Sequence, residues 1–361
     1  MSETAGARRW RGIAQVVAIV AIAAGAAVAV YADRATMASG AADLAHLRLG
    51  RVGFATCAEI VSMVAFALLN KSLLRKCGVT SSTITVRSVL ATAYRANAIA
   101  VTVPVAGSAM ATGYTYREFR RRGGDPAQVS VALTVAGIFS TVAFAVLAAA
   151  GSVVTGNVAA AVLTAVGGLA TGAAAGAVLL SLRSPRARAR LARLAVAVLG
   201  VSKRAARWPR CEPAELVADL LDRAGSVRIG YRAAGRAFGY ALVNWLADVA
   251  CLAFAIQAVH AHVPWRVLLL VWSAGAGAAS LCPIPAGLGV VDIVLISTLT
   301  AAGMPAPQAV AAVLVYRIIS FKILSTLVIS ARPLVARVYR GATALPRRTV
   351  RSRYGVRRMA T

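Results

Sequence analysis

The stretch CPIPAGLGVVDIVLISTL, residues 282–299, decides how the second half of this chain can fold. It is apolar enough for membrane depth, yet Pro283 and Pro285 remove backbone donors and prevent a continuous helix. Gly287 and Gly289 then allow a tight turn and close backbone approach. Such backbone is tolerated at membrane depth only where protein buries it or where it lines a water-filled cavity. The sequence therefore predicts a broken helix whose freed amides would attract an anion such as a phosphate; the alternative is a kink that serves packing alone.

The rest of the chain has the composition of a membrane protein. Of its 361 residues, 59% are hydrophobic and only 14% are charged. A soluble domain of this size has no core large enough for that much apolar surface, whereas a bilayer accepts it. Runs long enough for a span of about 17–25 residues lie at 13–32, 52–70, 129–151, 158–182, 238–260 and 308–331.

The basic residues predict the orientation in the membrane. The chain has 40 Lys and Arg against 12 Asp and Glu, a formal net charge of +28. They lie in short blocks between apolar runs, which favours membrane topology over nucleic-acid binding. If the N-terminus is cytoplasmic, 33 of the 40 fall in cytoplasmic segments. The positive-inside rule therefore predicts that both termini are cytoplasmic. We expect a multi-pass protein of the cell (plasma) membrane.

Two further apolar stretches are interrupted, and each is predicted to enter and leave the membrane on one face. Segment 84–122 is broken at VPVAGSAMATG and has basic residues at both ends, so it is predicted as a hairpin from the cytoplasmic face. Segment 265–303 lies between outside loops, so its hairpin enters from outside, although two short full spans remain an alternative. The prediction is an all-α integral membrane protein with six crossings plus two re-entrant or short-span helical hairpins.

A weak internal repeat accompanies the two hairpins. Inverted repeats with discontinuous helices are a transporter design that places the site at mid-membrane, so we predict an inverted-repeat architecture. A shift of 180 residues without gaps aligns Ala106-Gly107 with Ala286-Gly287, Gly123 with Gly303, Gln128 with Gln308 and Ser140 with Ser320.

The predicted organisation has four parts. They are a first membrane half, 1–182, a basic cytoplasmic loop, 183–236, a second membrane half, 237–331, and a basic cytoplasmic tail, 332–361. Two interpretations of the Arg-rich start of the loop remain open. It is either an interfacial basic helix drawn to anionic head groups or an ordinary loop that sets topology.

Charged and polar residues at membrane depth are the candidate functional residues, because burying charge in lipid is costly. Asp292 lies one turn into the second hairpin arm and Arg317 lies in the last span, and we expect them to pair. The pair either lines a substrate pathway or holds the hairpin to the span as a structural ion pair. The full set of pathway candidates is Pro283, Pro285, Gly287, Gly289, Asp292, Arg317, Arg95, Asn97, Pro104, Gly107, Asn244, Asp248 and Glu59.

Asn244 and Asp248 are four residues apart and so share a helix face. They either line the pathway or join helices to one another. No metal site and no cofactor are expected, because the cysteines and histidines show no ligand spacing.

The segment PIPAGLGVVDIVLISTLTAAGMPAPQAVAAVLVYR, residues 283–317, resembles the C-terminal signature of the lysylphosphatidylglycerol synthase transmembrane family. That signature is a Pro-Gly-Gly-Leu-Gly turn, an acidic residue and then an arginine in the last span. Residues 95–140 resemble an earlier Asn…Pro…Gly segment of the family, so the likeness spans most of residues 10–335. By resemblance the family positions are Pro285, Gly287, Gly289, Asp292 and Arg317.

The chain departs from the family pattern in several places. Ala286 stands where glycine is usual, Asp292 replaces the commoner glutamate, and Ser108 and Ala109 stand where an acidic residue usually follows Gly107.

The resemblance implies movement of modified phospholipids between leaflets. The aminoacyl-transferring domain of fused family members is not expected, and lipid aminoacylation is therefore not expected either.

Taken together, these features predict a translocase (flippase) of anionic or modified phospholipid or lipid-linked head groups that works by alternating access. The alternatives are a non-transporting scaffold of a cell-envelope lipid or glycan synthesis complex and, less favoured, a lipid-modifying enzyme. The expected partners are membrane phospholipid and a cell-envelope biosynthetic complex, with no nucleic acid and an undetermined oligomeric state. No nucleotide-binding motif is present, so any energy is expected to come from an ion gradient, a lipid gradient or a partner. If protons are the coupling ion, Asp248, Glu59 and Asp292 are the candidate carriers.

Overall fold

The structure, a computed structural model, describes residues 46–79, 82–102, 107–156, 230–281, 287 and 289–320, with scattered positions from 162 to 190. These ranges are helical and contain no strand, which confirms the all-helical class for this part of the chain. Outside the described residues lie the predicted span at 13–32, the tail, and most of the predicted span at 158–182 and of the loop at 183–236.

The described helices follow the predicted apolar runs. Three of them, α1, α4 and α5, are long and apolar enough to cross a membrane. The shorter apolar helix α8 begins the predicted run at 308–331, which is described as far as Ser320. In chain order the helices are α1 (Leu49–Lys76), α2 (Val86–Thr102), α3 (Gly107–Arg121), α4 (Pro126–Val154), α5 (Tyr231–Ala258), α6 (Leu268–Leu281), α7 (Val290–Ala301) and α8 (Ala306–Ser320).

Helices α1 and α5 run antiparallel along each other and make the most extensive helix contact of the described residues. At one end the Arg48 N–H donates to the Ala258 carbonyl at 3.0 Å, so the start of α1 meets the end of α5. At the other end Lys71 of α1 and Arg236 of α5 line one cavity. Each helix has 28 residues, a length of about 42 Å, which exceeds the hydrocarbon thickness of a bilayer.

Both interrupted stretches fold back on themselves as helical hairpins. At the base of the first, the Thr83 hydroxyl donates to the Arg122 carbonyl at 3.1 Å. Near its tip a Cβ on Gly107 would collide with the Ala100 carbonyl oxygen, so only glycine fits this approach of α3 to α2. In the second hairpin α6 packs against α7.

The helix ends explain why the chain turns where it does. Asp125 caps α4 by accepting hydrogen bonds from the N–H groups of Ala127 and Gln128 at 2.9 and 3.3 Å, and Pro126 occupies the first turn. Helices α3 and α7 both end on a left-handed glycine, Gly123 at φ 90° and Gly303 at φ 92°. Glycine adopts this conformation without the Cβ penalty of other residues and so stops both helices.

One of the two large buried clusters of the described residues lies between the long helices and the second hairpin. Helix α7 contributes Val291, Leu295 and Leu299, which are buried and recur every four residues, so one face of the helix is apolar. Helix α4 reaches α6 through Gly151, where an added Cβ would lie 2.8 Å from the Leu269 Cβ and 2.9 Å from the Leu270 nitrogen. The close approach of α4 to α6 therefore depends on a glycine.

We predict that Gly151→Ala lowers the free energy of unfolding by about 1–3 kcal/mol, because the new methyl group overpacks a contact made by backbone. The matched control is Gly137→Ala in the same helix, where an added Cβ has nothing within 4 Å. That control should be neutral or slightly stabilising, since alanine has the higher helix propensity. Thermal unfolding in detergent measures both; equal midpoints for the two variants would contradict the packing of α4 on α6.

Candidate functional site

The tip of the second hairpin is held in a conformation that favours glycine. Gly287 and Gly289 have φ values of 60° and 80°, and a Cβ on Gly287 would collide with the Val291 side chain. The Gly289 N–H donates to Oδ2 of Asp292 at 2.9 Å. The anion at the start of α7 is therefore the carboxylate of Asp292 itself, which takes up one of the donors that a helix start leaves unpaired.

Arg317 of α8 binds this tip both at the carboxylate of Asp292 and at the backbone carbonyl of Gly287. Its Nε donates to Oδ1 of Asp292 at 2.6 Å, and its Nη2 donates to the Gly287 carbonyl at 3.4 Å. The side chains of Arg317 and Asp292 are 15% and 29% exposed, so the ion pair is partly buried but still accessible to solvent. The expected contact between the two residues is present, and a substrate role for the pair stays a prediction.

A second polar group centres on Asp248 of α5. Its Oδ2 accepts from Nε1 of Trp272 and its Oδ1 accepts from the hydroxyl of Tyr316, both at 2.9 Å. Trp272 is almost fully buried and contacts the rings of Phe144 and Trp245, with centroids 5.5 and 5.4 Å away. The carboxylate is thus held by donors from α6 and α8.

Glu59 of α1 faces this carboxylate and is itself 7% exposed. Its Oε2 atom is buried and has no hydrogen-bond partner among the residues that the structure describes. One turn along the two helices, the Ser62 hydroxyl donates to Oδ1 of Asn244 at 3.1 Å. Asn244 therefore joins α5 to α1, while Asp248 faces Glu59.

Helix α8 connects the two groups, because Tyr316 and Arg317 are consecutive in it. Tyr316 binds Asp248 and Arg317 binds Asp292. We call the five residues Glu59, Asp248, Tyr316, Arg317 and Asp292 the polar network. It runs from the α1–α5 contact to the broken tip of the second hairpin.

The candidates of the first hairpin lie on α2 and at the tip. Arg95 interacts with Tyr114 of α3, and Asn97 is partly buried. Tyr94, the residue before Arg95, is buried and within electrostatic reach of Glu59. Gly107 begins α3. The prolines of both tips, Pro104, Pro283 and Pro285, lie outside the described residues.

A basic cavity lies where the end of α1 meets the start of α5. Its volume is about 390 Å³, and its lining, taken from the described residues, holds four cations and no carboxylate. The positive-inside rule predicts this end of the helices to be cytoplasmic. The lining residues are Leu68, Lys71, Ser72, Arg75, Lys76, Ala233, Arg236 and Tyr240.

Sequence reasoning missed Trp272 and Tyr316, the two donors to Asp248, and it missed the basic cavity. Buried tyrosine and tryptophan side chains usually have a hydrogen-bond partner. A carboxylate at membrane depth therefore indicates that such a donor lies nearby. The cavity draws its cations from two segments far apart in sequence, 71–76 and 233–240, which only the antiparallel pairing of α1 and α5 brings together.

Long apolar helices, folded-back hairpins and a charged network between them define an integral membrane protein of the all-helical class. The chain belongs to the family described as the Lysylphosphatidylglycerol synthase TM region, whose model matches residues 15–328. This confirms the resemblance carried by residues 283–317 and makes the chain a membrane protein of lipid metabolism or transport. Comparison with curated proteins gave no match.

We predict that Asp292→Asn and Asp292→Ala distinguish what the two bonds of the Asp292 carboxylate, to Arg317 and to the Gly289 N–H, contribute to stability. Asparagine can still accept from the Gly289 N–H but loses the charge that binds Arg317, which should cost about 1.5–3 kcal/mol of stability. Alanine loses the cap as well and should cost about 1 kcal/mol more. Unfolding in mixed micelles measures the difference, and two variants as stable as the parent would contradict the role of Asp292 at the tip.

Proposed function

We propose that the protein is a translocase that moves anionic or modified phospholipids, or lipid-linked head groups, between the leaflets of the plasma membrane. The observation that carries this proposal is the polar network, because charged side chains at membrane depth are expensive and mark substrate or ion pathways. The network ends at the left-handed glycines of the second hairpin. Irregular backbone of this kind at membrane depth belongs in protein or beside a water-filled cavity.

The proposal includes an inverted repeat with six crossings. The order long helix, hairpin, helix occurs twice, first as α1 to α4 and then as α5 to α8, with an offset of about 180 residues. The equivalent helices α1 and α5 run antiparallel, as inversion requires. The left-handed glycines Gly123 and Gly303 close equivalent helices in both halves. Alternating access then follows from rocking one half against the other.

The basic cavity supplies a loading site for a head group in the cytoplasmic leaflet. Lys71, Arg75, Lys76 and Arg236 surround a space with no carboxylate in its described lining, so a phosphate group meets only favourable charge there. Arg75 and Arg236 add forked donors that suit phosphate oxygens. Both side chains are exposed, and they are therefore accessible to a lipid head group.

A non-transporting scaffold is the second candidate, and the same exposed basic surface favours it. Such a surface would bind anionic partners of the cell-envelope synthesis machinery without any lipid crossing the membrane. The two functions differ in whether purified protein alone changes the sidedness of a lipid.

We predict that purified protein in liposomes accelerates the exchange of a fluorescent anionic phospholipid between leaflets, followed by quenching of the outer leaflet. Arg317→Gln should slow this exchange at least about tenfold, since a lost charged hydrogen bond of about 1.5–3 kcal/mol corresponds to such a factor. The double variant Lys71→Gln/Arg236→Gln should reduce the rate and its dependence on lipid charge.

Arg121→Gln is the matched control, because Arg121 is an exposed cation at the end of α3 outside the polar network and the cavity. It should leave exchange unchanged. Exchange no faster than in protein-free liposomes, under every lipid and ion gradient applied to the parent protein, would contradict the translocase and favour the scaffold.

A further inference from the structure

Glu59 is an ionisable side chain in an environment that does not compensate a charge. It lies midway along α1, it is 7% exposed, and no described residue forms a hydrogen bond with its buried Oε2. A carboxylate left in this state would lose its hydration without gaining a partner for this oxygen among the described residues, which is strongly unfavourable. A neutral carboxylic acid loses far less.

The neighbouring carboxylate, Asp248, has hydrogen-bond donors, whereas Oε2 of Glu59 has none among the described residues. Asp248 accepts one hydrogen bond at each carboxylate oxygen, from Trp272 and from Tyr316. Two donors stabilise a negative charge on Asp248. A second negative charge on Glu59, directly beside it, would be repelled. The geometry therefore favours one charge and one proton on the two carboxyl groups.

We propose that Glu59 is the proton-binding residue of this protein and that its protonation couples lipid translocation to a proton gradient. The inference rests on the proposed translocase function for the coupling, but the proton site itself can be tested without transport. It assigns a ligand, the proton, to one residue of the polar network.

The groups that face Glu59 come from three helices. From α5 these are Asp248 and Cys251, from α2 it is Tyr94, and from α8 it is Tyr316. Helix α4 also packs on α1 but contains no titratable residue. None of these neighbours is a cation, so the charge of an ionised Glu59 would be opposed rather than balanced.

The coupling step follows from what loss of the proton does to the α1–α5 contact. When Glu59 releases its proton to water on one side, two carboxylates face each other across the two helices. Their repulsion opposes the α1–α5 contact, which includes the hydrogen bond from Ser62 to Asn244. Because Tyr316 of α8 is bonded to Asp248, the repulsion also acts on Tyr316 and on the adjacent Arg317. Uptake of a proton from the other side restores the neutral acid. One proton enters and one leaves in each cycle, and no other reactant is consumed.

The first test measures the proton directly. Infrared pH-difference spectra of the full-length protein in bilayers should show the carbonyl band of a protonated carboxylic acid at neutral pH. Glu59→Gln should remove that band, and Glu59→Asp should keep it at a shifted frequency. Glu118→Gln is the matched control, because Glu118 is already paired with Arg122 at 2.7 Å at the end of α3 and should not contribute. A parent spectrum without the band, or a band that persists in Glu59→Gln, overturns the proposal whether or not the protein transports lipid.

The second test measures coupling in liposomes, with the membrane potential held at zero by valinomycin and equal potassium. A gradient of one pH unit should drive the labelled lipid toward one leaflet by up to about tenfold, the factor that one proton per lipid supplies. Glu59→Gln, locked in the neutral form, should lose the response to the gradient.

The outcomes distinguish the two proposals. Parent protein that exchanges lipid but ignores the pH gradient overturns the coupling and leaves the translocase standing. A full gradient response in Glu59→Gln does the same. Parent protein that shows the infrared band but never moves lipid overturns the translocase and its coupling, and it leaves the proton site.

Discussion

The rest of this structure depends on how charge is compensated at membrane depth. Arg317 carries a positive charge into the second half of the protein and binds both the Asp292 carboxylate and the Gly287 carbonyl. Asp292 in turn caps the helix that starts at Gly289. In a medium with little water, neither the guanidinium nor the broken backbone would persist alone. These three hydrogen bonds therefore stabilise the hairpin tip, and the two of them that Arg317 donates also hold α8 against it.

Helix α8 is the element through which a change at one polar group can reach the other. Its Tyr316 holds Asp248 beside the α1–α5 contact, and its Arg317 holds the hairpin tip. A shift of α8 therefore alters the hydrogen bonds of both carboxylates together. An arrangement in which one helix biases two sites is the physical requirement for coupling between an ion and a substrate.

The sequence predicted the helical membrane class, the two interruptions and six spans, three of which are long helices in the part of the chain that the structure describes, because hydropathy and charge blocks are local properties of the chain. It also singled out Asp292 and Arg317, since charges inside apolar runs are conspicuous. It could not assign Trp272 or Tyr316 to Asp248, because these donors lie 24 and 68 residues away and meet it only after α5, α6 and α8 have packed. The basic cavity was missed for the same reason, because its cations lie on α1 and on α5, which only helix packing brings together.

Alternating access requires that the two halves meet along a contact that opens to water on alternate sides. A cysteine-free protein carrying Ser62→Cys tests it most directly, because Ser62 is 6% exposed and lies at the α1–α5 contact one turn from Glu59. Its reaction with a membrane-impermeant thiol reagent would be measured from each side of the membrane, with and without a lipid or pH gradient. We expect reaction from one side at a time, with the reactive side changing with the gradient. A thiol that reacts from neither side under any condition would show a dry, static contact and would rule out alternating access.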